Sequence, residues 1–252
     1  MEFKELKEKI GKFVKEELYS LEPWVYSSEW DEKLPKLNEL REKVKKMGLW
    51  LPQISTNYGG LGLTLEEHGE ISEILGGSPY GFYVFNCQAP DAGNMEILIE
   101  VGTSQQKKDY LTPLLEGKTR SCFAMTEPGY AGSNPTRMGT TAEKENGNYI
   151  INGHKWFTSS FDGADFAIVM VVTDPDEANP YKRASQIIVP TKTKGVEFVR
   201  NVSIMGHPGG GWESHAEIKF NNVIVPESNL LGCEGDGFAI AQKRLGPGTV
   251  SY

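Results

Sequence analysis

Little in this sequence can cross-link the chain, cage a metal or cross a membrane. The three cysteines, Cys87, Cys122 and Cys233, are odd in number, far apart and never in a C-x-x-C pair. That argues against a disulfide framework or a zinc cluster and for a reducing compartment. The four histidines, His68, His154, His207 and His215, lack ligand-like spacing and read as surface or capped side chains, with no metal expected. The longest purely apolar run, Phe166–Val172, is far too short to span a bilayer. There are 26 basic residues against 34 acidic ones, a net charge of −8, so the basic face that nucleic acids require is missing. The opening residues mix acids with lysines and contain no apolar core, unlike secretory or transit peptides. The expected location is cytoplasmic, unless a C-terminal address has been lost. No dinucleotide fingerprint, phosphate-binding P-loop, nucleophile elbow or H-E-x-x-H helix is present.

What is there is an ordinary globular chain of 252 residues, 38% hydrophobic and 24% charged, enough for one large or two small domains. Residues 1–120 read as helix. Phe3, Leu6, Ile10, Phe13, Val14 and Leu18 recur at helical spacing, and a loop is expected at Pro23-Trp24. Leu37, Leu40, Val44 and Met47 form a second stripe that stops at Gly48. Thr64 and Glu67 make a capping box for a third helix, ending at Gly76-Gly77. Ala92–Val101 and a segment capped by Thr103 or Ser104 follow. Near Ser121 the period changes. Strands are expected at Ser121–Thr126, Phe166–Val172, Ser185–Val189, Val196–Val199 and His215–Val225, with hairpin turns at both Asn146-Gly147 and Asn152-Gly153. The fold class is therefore α+β: a helical domain over 1–120, a β-barrel or sandwich over 121–234, and the start of a further helical domain over 235–252.

Two stretches could carry chemistry. In Cys122–Asn134 a strand candidate runs into a loop of small and hydroxyl residues, Thr126-Glu-Pro-Gly-Tyr-Ala-Gly-Ser133, whose backbone N–H groups could form a concave anion site. In Ile150–Ser159, Trp156 and Phe157 could wall an aromatic cofactor. Taken singly, the first also reads as two plain turns and the second as core aromatics.

Taken together they resemble the acyl-CoA dehydrogenase family. The matching segments occur in order: Met125-Thr-Glu-Pro, Gly132-Ser133, Ile151-Asn-Gly-His-Lys-Trp-Phe-Thr158, Ile187-Ile-Val-Pro, Met205-Gly-His, Phe220-Asn-Asn-Val-Ile-Val-Pro-Glu-Ser and Gly235-Asp-Gly-Phe. Arg244-Leu-Gly-Pro-Gly248 is most similar to the long-chain branch that includes family members ten and eleven. The resemblance implies FAD held between the β-domain and a C-terminal helical bundle, a domain this sequence is expected to lack by truncation. It implies that Phe123, Met125 and Thr126 line the isoalloxazine ring, with Thr126 near N5 and O4. Trp156, Phe157 and Thr158 would cover the other side, Gly132 and Ser133 would meet the pyrophosphate, and Ser133 and Thr173 would touch the acyl-CoA. The implied reaction is α,β-dehydrogenation of a fatty acyl-CoA thioester, with hydride passing to flavin N5 and electrons then to an electron-transferring flavoprotein. The implied assembly is a homo-oligomer.

Two departures stand out. Asn134 follows Gly-Ser where the family often has Asp, and Thr249 stands where an Arg is usual. The catalytic glutamate is expected in the missing domain, and Glu127 reads as structural. A non-catalytic acyl-CoA-binding or partner-subunit fragment is the alternative, with a flavin oxidase or hydroxylase on the same fold as a third reading.

Overall fold

The computed structural model describes residues 2–248, so the departure at Thr249 lies outside the described residues. The chain packs as two units, one holding the helices up to Gly93 and the other Asn94–Leu245. By packing, the second unit takes in helices that precede the change of sequence period near Ser121.

The first unit begins with α1 (Phe3–Phe13), whose stripe of Leu6, Ile10 and Phe13 is buried as its spacing predicts. A wider turn over Val14–Leu18 carries the chain towards α2 (Glu22–Val25). The loop expected at Pro23-Trp24 is instead part of α2, because the first helical turn leaves its N–H groups unpaired and proline lacks only that group. Helix α3 (Trp30–Lys46) starts earlier than its apolar stripe and contains Pro35. Helix α4 (Leu65–Leu75) carries the foreseen box: Thr64 Oγ1 accepts from Glu67 N–H at 3.2 Å, and the Glu67 carboxylate accepts from Thr64 N–H at 2.8 Å. Helix α5 (Gly81–Phe85) is too short to show a period, yet its Tyr83, Val84 and Phe85 are buried. Phe85 meets Phe13 edge-on at 5.5 Å. Arg41 of α3 is buried between the Trp50 and Tyr83 rings, at 4.8 and 4.7 Å, and donates to Asn86 Oδ1. Its planar cation stacks where an ammonium would not.

Helix α6 (Asp91–Val101) contains the boundary between the units. The second unit continues with α7 (Ser104–Gln106), capped by Thr103, and α8 (Thr112–Leu115). The strands are β1 (Ser121–Ala124), β2 (Thr141–Glu145), β3 (Asn148–Ser159), β4 (Phe166–Val172), β5 (Ala184–Pro190), β6 (Val196–Asn201), β7 (His215–Pro226) and β8 (Leu230–Leu231). They form one mixed eight-stranded sheet in the order β6-β7-β3-β2-β4-β5-β8, with β1 parallel to β4. Their inner faces share one core that includes Tyr149, Ile151, Val169, Ile187, Ile218 and Val223, as a barrel or sandwich requires. Helix α9 (Gly237–Gly248) follows. Among the described residues, no helix is long and apolar enough to cross a membrane.

The apolar run of β4 has a physical reason. Val169 and Val171 point into the common core, while the alternate Phe166 meets Tyr110 at 5.0 Å and Met170 packs with Ala241 of α9. A strand covered on both faces shows no alternation.

One of the two expected hairpins is a different feature. At Asn146-Gly147, with φ of 50° and 78°, the chain turns between β2 and β3 as expected. At Asn152-Gly153 it runs straight on within β3, and the pairing with β7 shifts register there. A Cβ at position 153 would lie 2.2 Å from Thr140 Oγ1, so glycine permits close approach rather than a turn.

Replacing the cap with T64A is expected to lower stability by about 1 kcal/mol. Urea unfolding followed by helix circular dichroism measures this, and an unchanged midpoint would show the box to be idle.

Candidate functional site

Both chemistry-bearing stretches lie in the second unit, and a buried ion pair joins them. Lys155 of β3 is wholly buried, and Glu127, just beyond β1, is 4% exposed. Lys155 Nζ donates to Glu127 Oε1 and to the Met125 carbonyl, both at 2.8 Å. The same carboxylate accepts from the Gly139 and Thr140 N–H groups, at 2.6 and 3.0 Å. Burial pulls the Lys155 pKa down to about 8, although Glu127 opposes this. Burial pushes Glu127 upward, but the Lys155 charge and the hydrogen bonds to the carboxylate outweigh it and hold it below its usual range. The pair is charged at neutral pH, and each of its carboxylate oxygens is satisfied.

This latch fixes both ends of the loop between β1 and β2. A second tie lies beside it: Thr126 Oγ1 donates to the Trp156 carbonyl at 2.8 Å, and Trp156 N–H donates to the Thr126 carbonyl at 3.0 Å. The middle of the loop stays open, and Gly129–Asn134 are all exposed. Gly132 and Ser133 thus present backbone and hydroxyl groups to solvent, as anion contacts require. A small cleft runs between Met125, Thr126, Tyr130, Gly132 and Met138.

Phe123 and Met125 are half-buried on the outer face of β1 and its extension, packed near Met138 and Met170. The Arg244 guanidinium of α9 lies 4.4 Å from the Phe123 ring centre and donates to Asn94 Oδ1 at 3.3 Å. Burial pushes Glu96 on α6 up to about 7, opposed by the charge of Arg244. On the β3 side Trp156 and Phe157 touch at 4.9 Å. Phe157 is 42% exposed and held at a φ of 48°, a region a bulky side chain rarely adopts. An exposed aromatic in strained backbone marks a ligand wall more than a core position.

Thr158, expected on the ring's side, is 1% exposed and pairs with Ala216, and its Oγ1 has no hydrogen-bond partner among the described residues. The register shift between Lys155 and Thr158 buries Thr158 and leaves Ser159 half-buried, with Ser159 Oγ 2.8 Å from His215 Nδ1. Thr173 is half-buried, with its hydroxyl 2.6 Å from Ser185 Oγ. Its neighbours Val172 and Pro175 border a groove shared with Thr136, Arg137 and Arg183. The sequence pattern contained Lys155, Ser159, His215 and Arg244 but assigned none of them a place. Only the Arg244-Leu-Gly-Pro-Gly signature hinted at one.

Two family models match: the acyl-CoA dehydrogenase N-terminal domain over residues 1–118 and the middle domain over 122–223. Acyl-CoA dehydrogenase family member 10 of Mus musculus is 40% identical over 263 residues, covering 99% of this chain and 24% of that protein. A solved structure from Mycobacterium abscessus, assigned to the acyl-CoA dehydrogenases, superposes with a TM-score of 0.91 at 36% identity. It covers 99% of this chain, which spans 64% of that one. The structure of PigA with FAD and proline matches at a TM-score of 0.76 and 26% identity, over 96% of this chain and 61% of that chain.

Removing one charge of the latch leaves the other buried alone. E127Q is expected to cost about 3–5 kcal/mol, while the paired swap K155M/E127L recovers only part of that loss, because the Met125 carbonyl and the Gly139 and Thr140 N–H groups lose their partners. Denaturant unfolding of the three proteins measures both terms. Because the folded carboxylate pKa is depressed, the stabilisation is complete above the ordinary carboxylate range and is lost as pH falls through the folded value. Wild type should therefore lose stability in acid more steeply than K155M/E127L.

Proposed function

The chain belongs to the acyl-CoA dehydrogenase family, and on that premise we propose that it carries the flavin- and acyl-CoA-contacting β-unit of an FAD-dependent dehydrogenase acting on fatty acyl-CoA thioesters. The observation that carries this reading is the latched loop beside an exposed, strained Phe157. Two tied ends, an open small-residue centre and a flanking aromatic fit a flat heterocycle joined to a pyrophosphate.

When bound, FAD supplies the acceptor for two electrons from the acyl α,β bond. The residues of the chain do the rest. Phe123, Met125 and Thr126 border the ring on one side, and Trp156 and Phe157 on the other. Thr126 gives its hydroxyl hydrogen to Trp156, which leaves its backbone N–H to serve N5 and O4. There a donor offsets charge as the ring is reduced. Thr158, whose buried Oγ1 has no hydrogen-bond partner among the described residues, covers the ring with Trp156 and Phe157. Gly132 and Ser133 hold the pyrophosphate, and Ser133 also meets the acyl-CoA. The groove beside Thr173, with Arg137 and Arg183 on its walls, receives the anionic end of coenzyme A. Met125 and the aromatic pair exclude water from the reacting carbons.

The base is assigned to no residue of this chain. Glu127 is the single carboxylate of the stretch 121–134, and the latch with Lys155 already engages it. We place the base in a further segment of the enzyme, the electron acceptor in an electron-transferring flavoprotein, and the working form in a homo-oligomer. The cysteines at 87, 122 and 233, which form no disulfide among the described residues, support a cytoplasmic site. The engaged state of Glu127 also favours the second reading, a module that binds acyl-CoA without turning it over.

Anaerobic titration of the FAD-loaded chain with medium- and long-chain acyl-CoA tests both readings. Retained flavin that bleaches supports the dehydrogenase with a base supplied within the chain, and retained flavin that never bleaches supports the binding module or a base supplied elsewhere. Failure to retain FAD at any concentration sinks the flavin site. F157A is expected to weaken FAD binding about tenfold, the loss of one aromatic contact, as read by flavin fluorescence quenching.

A further inference from the structure

Two neighbouring cations of α9 are engaged by α6 and β1. Lys243 pairs with Glu100 of α6. Arg244 lies against β1: its guanidinium is 4.4 Å from the Phe123 ring centre, and its Nε donates to Asn94 Oδ1 at 3.3 Å. Asn94 is wholly buried, and its amide is fixed from the other side. Its Nδ2 donates to Ser121 Oγ at 2.9 Å and to the Cys122 carbonyl at 3.2 Å. With the amide nitrogen committed to β1, the amide oxygen is left for Arg244. The cation is therefore aimed by the strand whose aromatic ring it covers.

Its charge is only partly offset. Glu96, one turn before Glu100 on α6, is half-buried, and its Oε2 is buried with no hydrogen-bond partner among the described residues. Burial works against its ionisation and pushes its pKa up to about 7, with the charge of Arg244 opposing. Near neutral pH that carboxyl is ionised about half the time. Glu100 is already engaged by Lys243, and Ser121–Ala124 of β1 carry no charge. A positive charge thus stands behind the Phe123 ring. Arg244 is itself half-buried, so water screens it weakly.

Phe123 is the residue read above as bordering the isoalloxazine ring. Hydride arrival brings two electrons and one proton to that ring, while the acyl α-proton leaves with the base. A ring that starts neutral therefore ends as an anion. A fixed cation one side chain away favours the anion over the neutral form, and it costs no reorganisation when the charge appears.

We propose that Arg244, aimed by Asn94 and acting across the Phe123 ring, sets the preference of the site for reduced over oxidised flavin. This rests on the flavin reading given above. It adds a residue of α9 that is not a catalytic residue, because it acts through Phe123 on the potential of the cofactor and not on the reacting carbons. Glu96 is its counterweight.

The reduction potential of the FAD-loaded full chain tests this, read against reference dyes during slow anaerobic reduction by xanthine and xanthine oxidase. R244M keeps a long side chain and removes the charge. It is expected to lower the preference for reduced flavin about tenfold, the scale of one charge at intermediate dielectric, which is a fall of about 30 mV for a two-electron couple. E96Q removes the opposing carboxylate. Measured at pH 8, where that carboxyl is ionised, it should raise the preference about threefold, or roughly 15 mV. Where R244M does not fold or hold FAD, E96Q decides alone. Replacing a merely structural arginine would weaken both redox forms alike and leave the potential where it was. FAD held by R244M at the wild-type potential, or E96Q at the wild-type potential where it decides alone, overturns this proposal and leaves the flavin site standing. Wild-type chain that retains no FAD overturns the flavin site, and the proposal with it.

Discussion

A lysine with no exposed surface, sealed beneath a loop and matched by one carboxylate, sets the terms for everything around it. Lys155 cannot leave the interior of β3 without withdrawing its hydrogen bond from the Met125 carbonyl, and Glu127 cannot turn out without abandoning the Gly139 and Thr140 N–H groups. Three backbone groups therefore meet at one pair of charges, and the five residues come from three segments. An apolar pair of equal volume could fill the same space, but it would leave those backbone groups unpaired. Here the charge is kept for what it orders as well as for what it stabilises.

What the sequence discloses follows from which signals are local. The stripe Leu6, Ile10 and Phe13, the Thr64-Glu67 box and the Asn146-Gly147 turn depend only on neighbours in the chain, and each appears where its residues say. The Asn152-Gly153 pair carries the same turn signature but answers to Thr140, the residue just before β2, so its meaning is settled by packing. Alternation along β3 is likewise counted correctly only if the register shift before Thr158 is known, and nothing in Lys155-Trp-Phe-Thr announces one. Lys155 was hidden by its chemistry, since a charged residue in a strand reads as solvent-facing until its partner is seen.

The candidate site was more legible than the strands that build it. Phe123, Met125, Thr126, Gly132, Ser133, Trp156 and Phe157 all lie on or beside one latched loop and one strand end. Their order along the chain was enough to group them. Which carboxylate is already engaged is decided by packing across the loop. The Arg244 cation over the Phe123 ring is a further instance. It joins α9 to β1 through a contact between residues that no spacing rule connects.

The Glu127 carboxylate reaches both its own end of the loop and the far end at Gly139 and Thr140. The intervening segment is therefore an Ω-loop with its neck closed by a single side chain. Most of the conformational entropy of such a segment is given up when the protein folds, before any ligand arrives. A molecule settling on residues 129–134 would have little disorder left to quench, so its grip would reflect the contacts it makes rather than the cost of organising them. Folding itself sets little limit on the length of the exposed centre, because the neck holds the ends together.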